Sequence, residues 1–177
     1  MQYTTKYETP LGSVLLAADE TGLTGLWFDR ARYYAAGLAA QHEEKEMPVF
    51  EKVRTWLDLY FAGKRPERLP PLHMIGSPFR VRIWEMLLQI PYGQTMTYGE
   101  LAAQIAKERG IERMSAQAVG GAVAHNPISI LIPCHRMVGT NGSLTGYAGG
   151  IPRKIELLIL EGAAMENLFV PTKGTAL

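Results

Sequence analysis

The first part of the chain alternates between short apolar runs and turn residues. Residues 13–18 and 23–28 are apolar and flank the turn sequence of residues 19–22, a pattern that predicts an antiparallel β-hairpin. Apolar positions then recur at helical spacing over residues 49–63, and Gly63 is a suitable residue to end that helix. This pattern predicts an N-terminal α/β domain.

The second part is predicted to be mostly helical. Residues 64–71 are polar and proline-rich and predict a linker, so the expected domains are residues 1–72 and 73–177. Ser77 before Pro78 predicts a helix start, and Thr97 with Glu100 forms a capping box that begins a short helix through about residue 105. A polar segment, residues 107–113, separates it from another short helix over residues 115–124.

These two short helices fit a helix-turn-helix, in which the second helix is presented to DNA. On pattern alone, most such pairs in small proteins only pack against each other. The second helix contains the adjacent residues Gly120 and Gly121, each of which costs about 1 kcal/mol relative to alanine. Close helix–helix packing and close approach of a nucleic-acid backbone both explain them, and the sequence leaves the choice open.

Composition narrows the class of protein without identifying it. The 177 residues are 47% hydrophobic and 20% charged, a balance typical of a globular protein with a core. The net charge of +1 does not by itself indicate a nucleic-acid partner. The chain has a polar start and no apolar run of the roughly 18 residues that span a bilayer, so we expect a cytoplasmic protein without a membrane partner.

Metal and disulfide chemistry are not expected. The chain has one cysteine and four scattered histidines, so that no disulfide forms within it and no metal site is predicted.

That cysteine, Cys134, is the candidate nucleophile. A lone cysteine is more often a small buried hydrophobe. Here it follows a proline at the end of residues 129–132, predicted to be buried and extended, and it precedes His135 and Arg136. Neighbouring positive charge lowers the pKa of a thiol. Because neighbours on an extended chain point to opposite faces, a relay is expected, in which a carboxylate orients His135 and His135 takes the thiol proton through water.

The residues around Cys134 resemble the active-site motif of the O6-alkylguanine-DNA alkyltransferases, also called methylated-DNA–protein-cysteine methyltransferases. The resemblance covers about residues 7–162, because further segments follow in the order of that family: residues 9–12, 25–28, 77–79, 91–93, 97–102, 118–122, 126–128, 146–150 and 157–162. It implies an N-terminal α/β domain, with an antiparallel sheet and a helix like that of ribonuclease H. It also implies a mostly α C-terminal domain with a winged-helix-like helix-turn-helix.

The resemblance implies a reaction and the residues that perform it. A helix bound in the minor groove of double-stranded DNA would extrude an O6-alkylguanine, with O4-alkylthymine as a second candidate lesion. Cys134 would take the alkyl group irreversibly, once per molecule. His135 would act as the base through water and Glu161 would orient it. Asn126 would hold the loop and share in the relay, although an Asn-Pro turn alone also explains it. Tyr98 would press on the DNA backbone and assist the leaving group.

The resemblance also implies a monomeric protein that has no metal and no cofactor. The remaining implied site residues form two sets. The expected DNA contacts are Gly99, Ser115, Gln117, Ala118, Gly120, Gly121 and Arg136. The expected pocket for the extruded base is formed by Tyr98, Met137, Val138, Tyr147, Ala148 and Gly149.

The sequence departs from the family pattern at the recognition helix. Gln117 stands where many members have an intercalating arginine, and we hypothesise weaker or less salt-dependent DNA binding. The segment over residues 106–115 is longer than in many relatives; its Lys107, Arg109 and Arg113 fit either phosphate contacts or a solvated loop. Met137 replaces a common valine, and the N-terminal cysteine metal sites of some members have no counterpart.

Three other functions fit parts of the pattern. A lesion sensor of the same family would bind DNA without transfer, but such relatives lack the nucleophilic cysteine. A transcription factor with the same helix pair would leave the Cys134 motif and Glu161 without a role. An unrelated cysteine hydrolase would act on an ester or amide and would not become alkylated.

Overall fold

The computed structural model describes residues 1–172, and its N-terminal part is a four-stranded sheet. Strands β1 (Gln2–Thr9), β2 (Gly12–Ala18) and β3 (Leu23–Phe28) are antiparallel neighbours, so the predicted hairpin is confirmed. A short edge strand, β4 (His42–Glu44), pairs with β1 in parallel and gives the order β3-β2-β1-β4. The sheet is therefore not purely antiparallel. All three residues of β4 are exposed, which explains why no apolar pattern predicted it.

One helix covers this sheet, as the apolar spacing predicted. Helix α1 (Pro48–Phe61) contacts β1 and β2 and buries Val49, Phe50, Val53, Leu57 and Tyr60. Gly63 follows its end with a φ of +80°, the left-handed conformation that glycine adopts without strain.

Four helices form most of the C-terminal part: α2 (Pro78–Leu87), α3 (Tyr98–Arg109), α4 (Ala116–Ala124) and α5 (Ile151–Leu160). The predicted caps at Ser77 and Thr97 are present, because both side chains accept backbone hydrogen bonds at the starts of α2 and α3. Ser115 caps α4 in the same way. Helix α3 is one turn longer than predicted. It ends at Gly110, whose φ of +64° allows a left-handed C-cap.

The chain around Cys134 turns instead of extending, so the prediction of a strand-like run over residues 129–132 was wrong. Ile130 has a φ of +70°, and short-range bonds such as that from the Leu131 N–H to the Ser129 carbonyl (2.8 Å) close the turns. A 3₁₀ turn (Cys134–Arg136) follows. Strand β6 (Met137–Val138) then pairs in parallel with β5 (Met96–Thr97).

Strand β3 is an edge strand of the sheet but is buried throughout, and it connects the sheet to the loop before Cys134. The Leu26 N–H donates to the Pro127 carbonyl at 2.8 Å, and the Ser129 N–H donates to the Leu26 carbonyl at 3.1 Å. Within residues 1–172, no helix is long and apolar enough to cross a membrane.

Candidate active site

The carboxylate of Glu161 is the centre of a buried hydrogen-bond network. It follows the last turn of α5 and is 5% exposed. Its Oε2 accepts from His135 Nε2 at 2.7 Å and from the Tyr60 hydroxyl at 2.6 Å. Arg136 donates from Nε to Oε1 at 2.8 Å and from Nη2 to Oε2 at 3.0 Å, and the Gly93 N–H donates at 3.2 Å. Helix α1, the loop after α2, the 3₁₀ turn and α5 therefore meet at one side chain.

This network sets the protonation states of its members. Burial alone would raise the pKa of Glu161, but hydrogen bonds from His135 and Arg136 hold it well below its ordinary value. Burial lowers the pKa of His135, and the opposing effect of Glu161 does not compensate. The imidazole proton therefore lies on Nε2, facing the ionised carboxylate. Nδ1 has no hydrogen-bond partner among residues 1–172, so it is available as a base.

Asn126 holds the nucleophilic sulfur and the loop that carries it. Its Nδ2 donates to Cys134 Sγ at 3.2 Å and to the Ile132 carbonyl at 2.9 Å, and its Oδ1 accepts from the Ile128 N–H at 3.0 Å. The two interpretations of Asn126 are thus compatible, since one side chain makes the turn and contacts the sulfur.

The electrostatics of Cys134 differ from those that its sequence neighbours suggested. Burial raises the pKa of the thiol, whereas the hydrogen bond from Asn126 and the charge of Lys154 lower it. The expectation that the neighbouring residues His135 and Arg136 supply the positive charge is not supported, because burial lowers the pKa of His135 and Arg136 pairs with Glu161. The thiol therefore needs a base to become a thiolate near neutral pH.

Lys154 is a buried cation that the sequence interpretation missed. Its side chain is 0% exposed, and Nζ donates to the Met137 carbonyl and, at 2.9 Å, to the Thr145 carbonyl. Burial lowers its pKa to about 8. Helical spacing could have indicated that this lysine is buried, because Lys154 shares a face of α5 with Leu157, Leu158 and Glu161.

A cavity of about 760 Å³ opens beside this centre. It brings together seven of the predicted residues: Tyr98, Gln117, Gly120, Gly121, Tyr147, Ala148 and Gly149. Burial, and then the charge of a Cys134 thiolate, raise the pKa of Tyr98 and of Tyr147. Cys134 itself is only 4% exposed and is not part of the cavity lining. The ring of the neighbouring His135 packs edge-on against the Tyr147 ring of the cavity wall, with centroids 6.4 Å apart.

The small residues of the cavity have different reasons for their size. A Cβ at Gly149 would come within 2.6 Å of the Tyr147 ring, so packing requires that glycine. A Cβ at Gly121 would meet nothing within 4 Å, and one at Gly120 only the Tyr98 ring at 3.9 Å. Close helix–helix packing therefore does not explain the glycine pair of α4.

Other predicted residues lie outside the cavity wall. Gly99, Ser115 and Ala118 are exposed at the N-terminal ends of α3 and α4. Met137 and Val138 are 0% and 3% exposed in β6 and are not part of the cavity lining.

The prediction of Arg136 as a DNA contact is corrected. Its guanidinium faces inward, where Nη1 donates to the Ile90 carbonyl at 2.7 Å and the other nitrogens bind Glu161. Sequence also missed Tyr60 as a partner of Glu161, since 101 positions separate the two residues.

The polar residues of this centre do not form a metal site. Among residues 1–172, no group of three or more histidine, cysteine, aspartate or glutamate side chains is arranged to hold a metal ion.

Comparisons with known proteins agree with this architecture. Residues 2–71 match the family profile described as the ribonuclease-like domain of 6-O-methylguanine DNA methyltransferase, and residues 78–163 match its DNA-binding domain. The methylated-DNA–protein-cysteine methyltransferase of Haemophilus influenzae is 41% identical over 160 residues, 90% of this chain and 86% of the relative. That of Methanosarcina acetivorans is 40% identical over 157 residues, 89% and 96% of the two chains.

Solved structures give the same result. Mycobacterium tuberculosis OGT in complex with DNA superposes with a TM-score of 0.78 at 39% identity, covering 90% of this chain and 92% of that one. The O6-methylguanine methyltransferase of the same organism gives a TM-score of 0.77 at 38% identity, with coverages of 98% and 97%. The expected fold, a ribonuclease-like domain followed by a DNA-binding domain, is confirmed. The chain belongs to the methylated-DNA–protein-cysteine methyltransferase family.

Proposed function

We propose that this protein repairs DNA by moving an alkyl group from O6 of guanine to Sγ of Cys134, once per molecule. The observation that carries the proposal is the pairing of a buried Glu161–His135 base with a sulfur held by Asn126, beside a cavity that α4 lines. Family membership supports the same reaction. We also propose that the protein is cytoplasmic and monomeric.

The proton of the thiol leaves before or as the sulfur attacks. His135 is neutral and presents Nδ1 without a protein partner in the described chain, so it accepts the proton through a water. Glu161 holds the ring by Nε2 and stabilises the imidazolium that forms. Asn126 and Lys154 favour the thiolate against the cost of burial.

Bond exchange then takes place at an sp³ carbon. The thiolate attacks the alkyl carbon, the new C–S bond forms as the bond from carbon to O6 breaks, and guanine leaves with the electron pair. Tyr98 keeps its hydroxyl proton because burial raises its pKa. The Thr145 carbonyl accepts a hydrogen bond from this hydroxyl at 3.3 Å, and the hydroxyl turns from it to donate to the departing base. The thioether has no reverse path, so each molecule acts once.

The exposed face of α4 suits the DNA side of the reaction. Ser115, Gln117, Ala118 and Gly121 are exposed on this helix or its cap, and the absence of side chains at Gly120 and Gly121 lets a backbone approach closely. The O6 substituent is hard to reach inside a stacked duplex, so the base is extruded. The cavity next to Tyr98 and Tyr147 receives it.

Intact-protein and peptide mass spectrometry tests this function. After incubation with duplex DNA that carries one O6-methylguanine, we expect a gain of one methyl group per protein, located on Cys134, with no gain in Cys134→Ser. Substrate in excess must not increase the yield beyond one. Binding of the duplex without any change in protein mass would instead identify a lesion sensor.

A further inference from the structure

The N-terminal domain contributes a wall to the cavity. Residues 29–36, here called the arginine segment, follow β3 directly, and Arg30, Arg32 and Tyr33 line the cavity across from α4. The segment is therefore part of the proposed DNA-facing surface, although it lies within residues 2–71, which match the ribonuclease-like profile.

The arginine segment is attached to both other walls of the cavity. The Arg32 N–H donates to the Ala148 carbonyl at 2.8 Å, which connects it to the loop that carries Tyr147. The ring of Tyr33 stacks on that of His125, at the end of α4, with centroids 4.1 Å apart and planes 26° apart. These contacts fix the backbone of the segment at Arg32 and Tyr33 relative to α4.

The backbone of the segment is held in an unusual conformation. Arg30, Tyr33 and Ala35 have φ values of +62°, +61° and +56°. Residues with a Cβ rarely adopt this left-handed region, and clusters of them occur where surrounding contacts impose a functional geometry. Glycine, which adopts this region without strain, is absent from residues 29–36. The contacts around the segment therefore hold it in this conformation.

The charge of this wall suits a polyanion. Of the described residues that line the cavity, none is acidic, and within residues 1–172 neither Arg30 nor Arg32 forms a salt bridge. The Arg32 guanidinium lies over the Tyr33 ring, 5.1 Å from its centroid. On the opposite wall, Gln117 is uncharged.

We propose that Arg30 and Arg32 bind phosphates of the DNA strand whose guanine enters the cavity, so that the N-terminal domain supplies the positive charge that α4 lacks. The proposal rests on the proposed function, since it assumes DNA as the substrate. Arginine binds phosphate through a planar fork of N–H groups.

Salt-dependent binding of a duplex that carries O6-methylguanine tests the proposal, in the protein and in the double variant Arg30→Ala/Arg32→Ala. Each lost phosphate contact reduces the slope of log K against log salt by about 0.9, so we expect a slope shallower by about 1.8. The control is Lys52→Ala/Arg68→Ala, which removes the same charge from a separate depression of the surface and is expected to keep the slope.

A second substrate separates this result from damage to the fold or from failure of the proposed function. Transfer from the free base O6-benzylguanine needs no phosphate contact, so the double variant is expected to lose much less of its rate with the free base than with the duplex. The single variant Arg30→Gln leaves the Arg32–Tyr33 contact in place. It is expected to show about half of the slope reduction of the double variant. No transfer to the unaltered protein from either substrate would refute the proposed function.

Either of two results would refute the proposal that Arg30 and Arg32 bind phosphates. One is an unchanged salt slope in Arg30→Gln and in the double variant. The other is an equal loss of slope in the control variant Lys52→Ala/Arg68→Ala. The charge-preserving variant Arg30→Lys/Arg32→Lys is expected to keep most of the slope.

Discussion

The buried centre around Glu161 and the exposed face of α4 are built in opposite ways. At Glu161, five hydrogen bonds from four residues converge on one carboxylate that is 5% exposed. On α4, Gly121 is exposed and a Cβ there would touch nothing. The first region is defined by the side chains that it contains, and the second by the side chains that it lacks.

This contrast separates chemistry from recognition. Removing the Glu161 carboxylate leaves the buried Arg136 without its partner and His135 without its acceptor, which affects transfer from any substrate. Filling the space above Gly121 costs the folded protein nothing and affects only a partner that approaches the helix.

The largest effect is expected for Glu161→Gln. The neutral amide no longer holds His135 as a base and leaves the buried Arg136 uncompensated. We expect transfer from duplex and from free base to slow by about 100-fold or more, and the free energy of unfolding to fall by about 3–5 kcal/mol. Single-turnover rates and urea denaturation measure the two effects. Glu156→Gln on the exposed side of α5 is the matched control, and equal effects in both variants would contradict the role of Glu161.

A smaller effect is expected for Gly121→Ala, and it has opposite signs for stability and activity. Alanine raises the free energy of unfolding by up to about 1 kcal/mol, because it favours the helix and meets no neighbour. Steric conflict with DNA worth about 1.4 kcal/mol slows transfer from the duplex about tenfold. Thermal denaturation and duplex transfer rates are the measurements. If duplex transfer stays at the rate of the unaltered protein, the glycine has no role in DNA approach.

The pH profile of transfer tests whether a neutral His135 accepts the thiol proton. Its pKa lies below the ordinary value of about 6.5, so the rate is expected to be nearly constant from about pH 7 to 8. Below the pKa of His135 the rate falls, because the base is protonated. A rise of about tenfold per pH unit up to pH 9 would instead indicate unassisted ionisation of Cys134.

The same pKa shifts affect stability in a defined direction. The pKa values of His135 and Glu161 are both lowered in the folded protein, so below each ordinary value the unfolded chain binds more protons than the folded one. The free energy of unfolding is therefore expected to decrease as pH falls through about 6.5 and again below about 4.5. Denaturant titrations at each pH measure it.

The smallest effect is expected for Gln117→Arg. Gln117 is exposed on the cavity side of α4, and an arginine there adds a charge that reaches DNA. We expect binding that is a few-fold tighter and a salt slope that is steeper by about 0.9. Affinity measured over a range of salt concentrations checks this, and unchanged affinity and slope would refute the hypothesis that Gln117 weakens DNA binding.

Local features of the fold were predictable because neighbouring residues determine them. The caps at Ser77 and Thr97 follow from hydroxyl groups placed next to helix starts. Cys134, His135 and Glu161 were identified from motifs that resemble a family. The end of α3 was misplaced because residues 107–109 are polar and were assigned to the connecting segment, although Ala106, Lys107, Glu108 and Arg109 are all strong helix formers.

Features that depend on distant pairing were not predictable. Arg136 faces inward only because Glu161 and the Ile90 carbonyl lie there, and a charged residue beside a motif is otherwise expected at the surface. The turns at residues 129–132 depend on Asn126, whose side chain accepts from the Ile128 N–H and donates to the Ile132 carbonyl. The cavity wall at Arg32 depends on the hydrogen bond from its N–H to the Ala148 carbonyl. The two residues are far apart in the sequence, so no local pattern predicts this bond.

The separation of chemistry from recognition is tested most directly by one ratio, the transfer rate from duplex DNA divided by that from free O6-benzylguanine. It is measured side by side in Glu161→Gln and Gly121→Ala. We expect an unchanged ratio in Glu161→Gln, where both rates fall together, and a ratio about tenfold lower in Gly121→Ala. A ratio that changes in Glu161→Gln but stays constant in Gly121→Ala would contradict this separation.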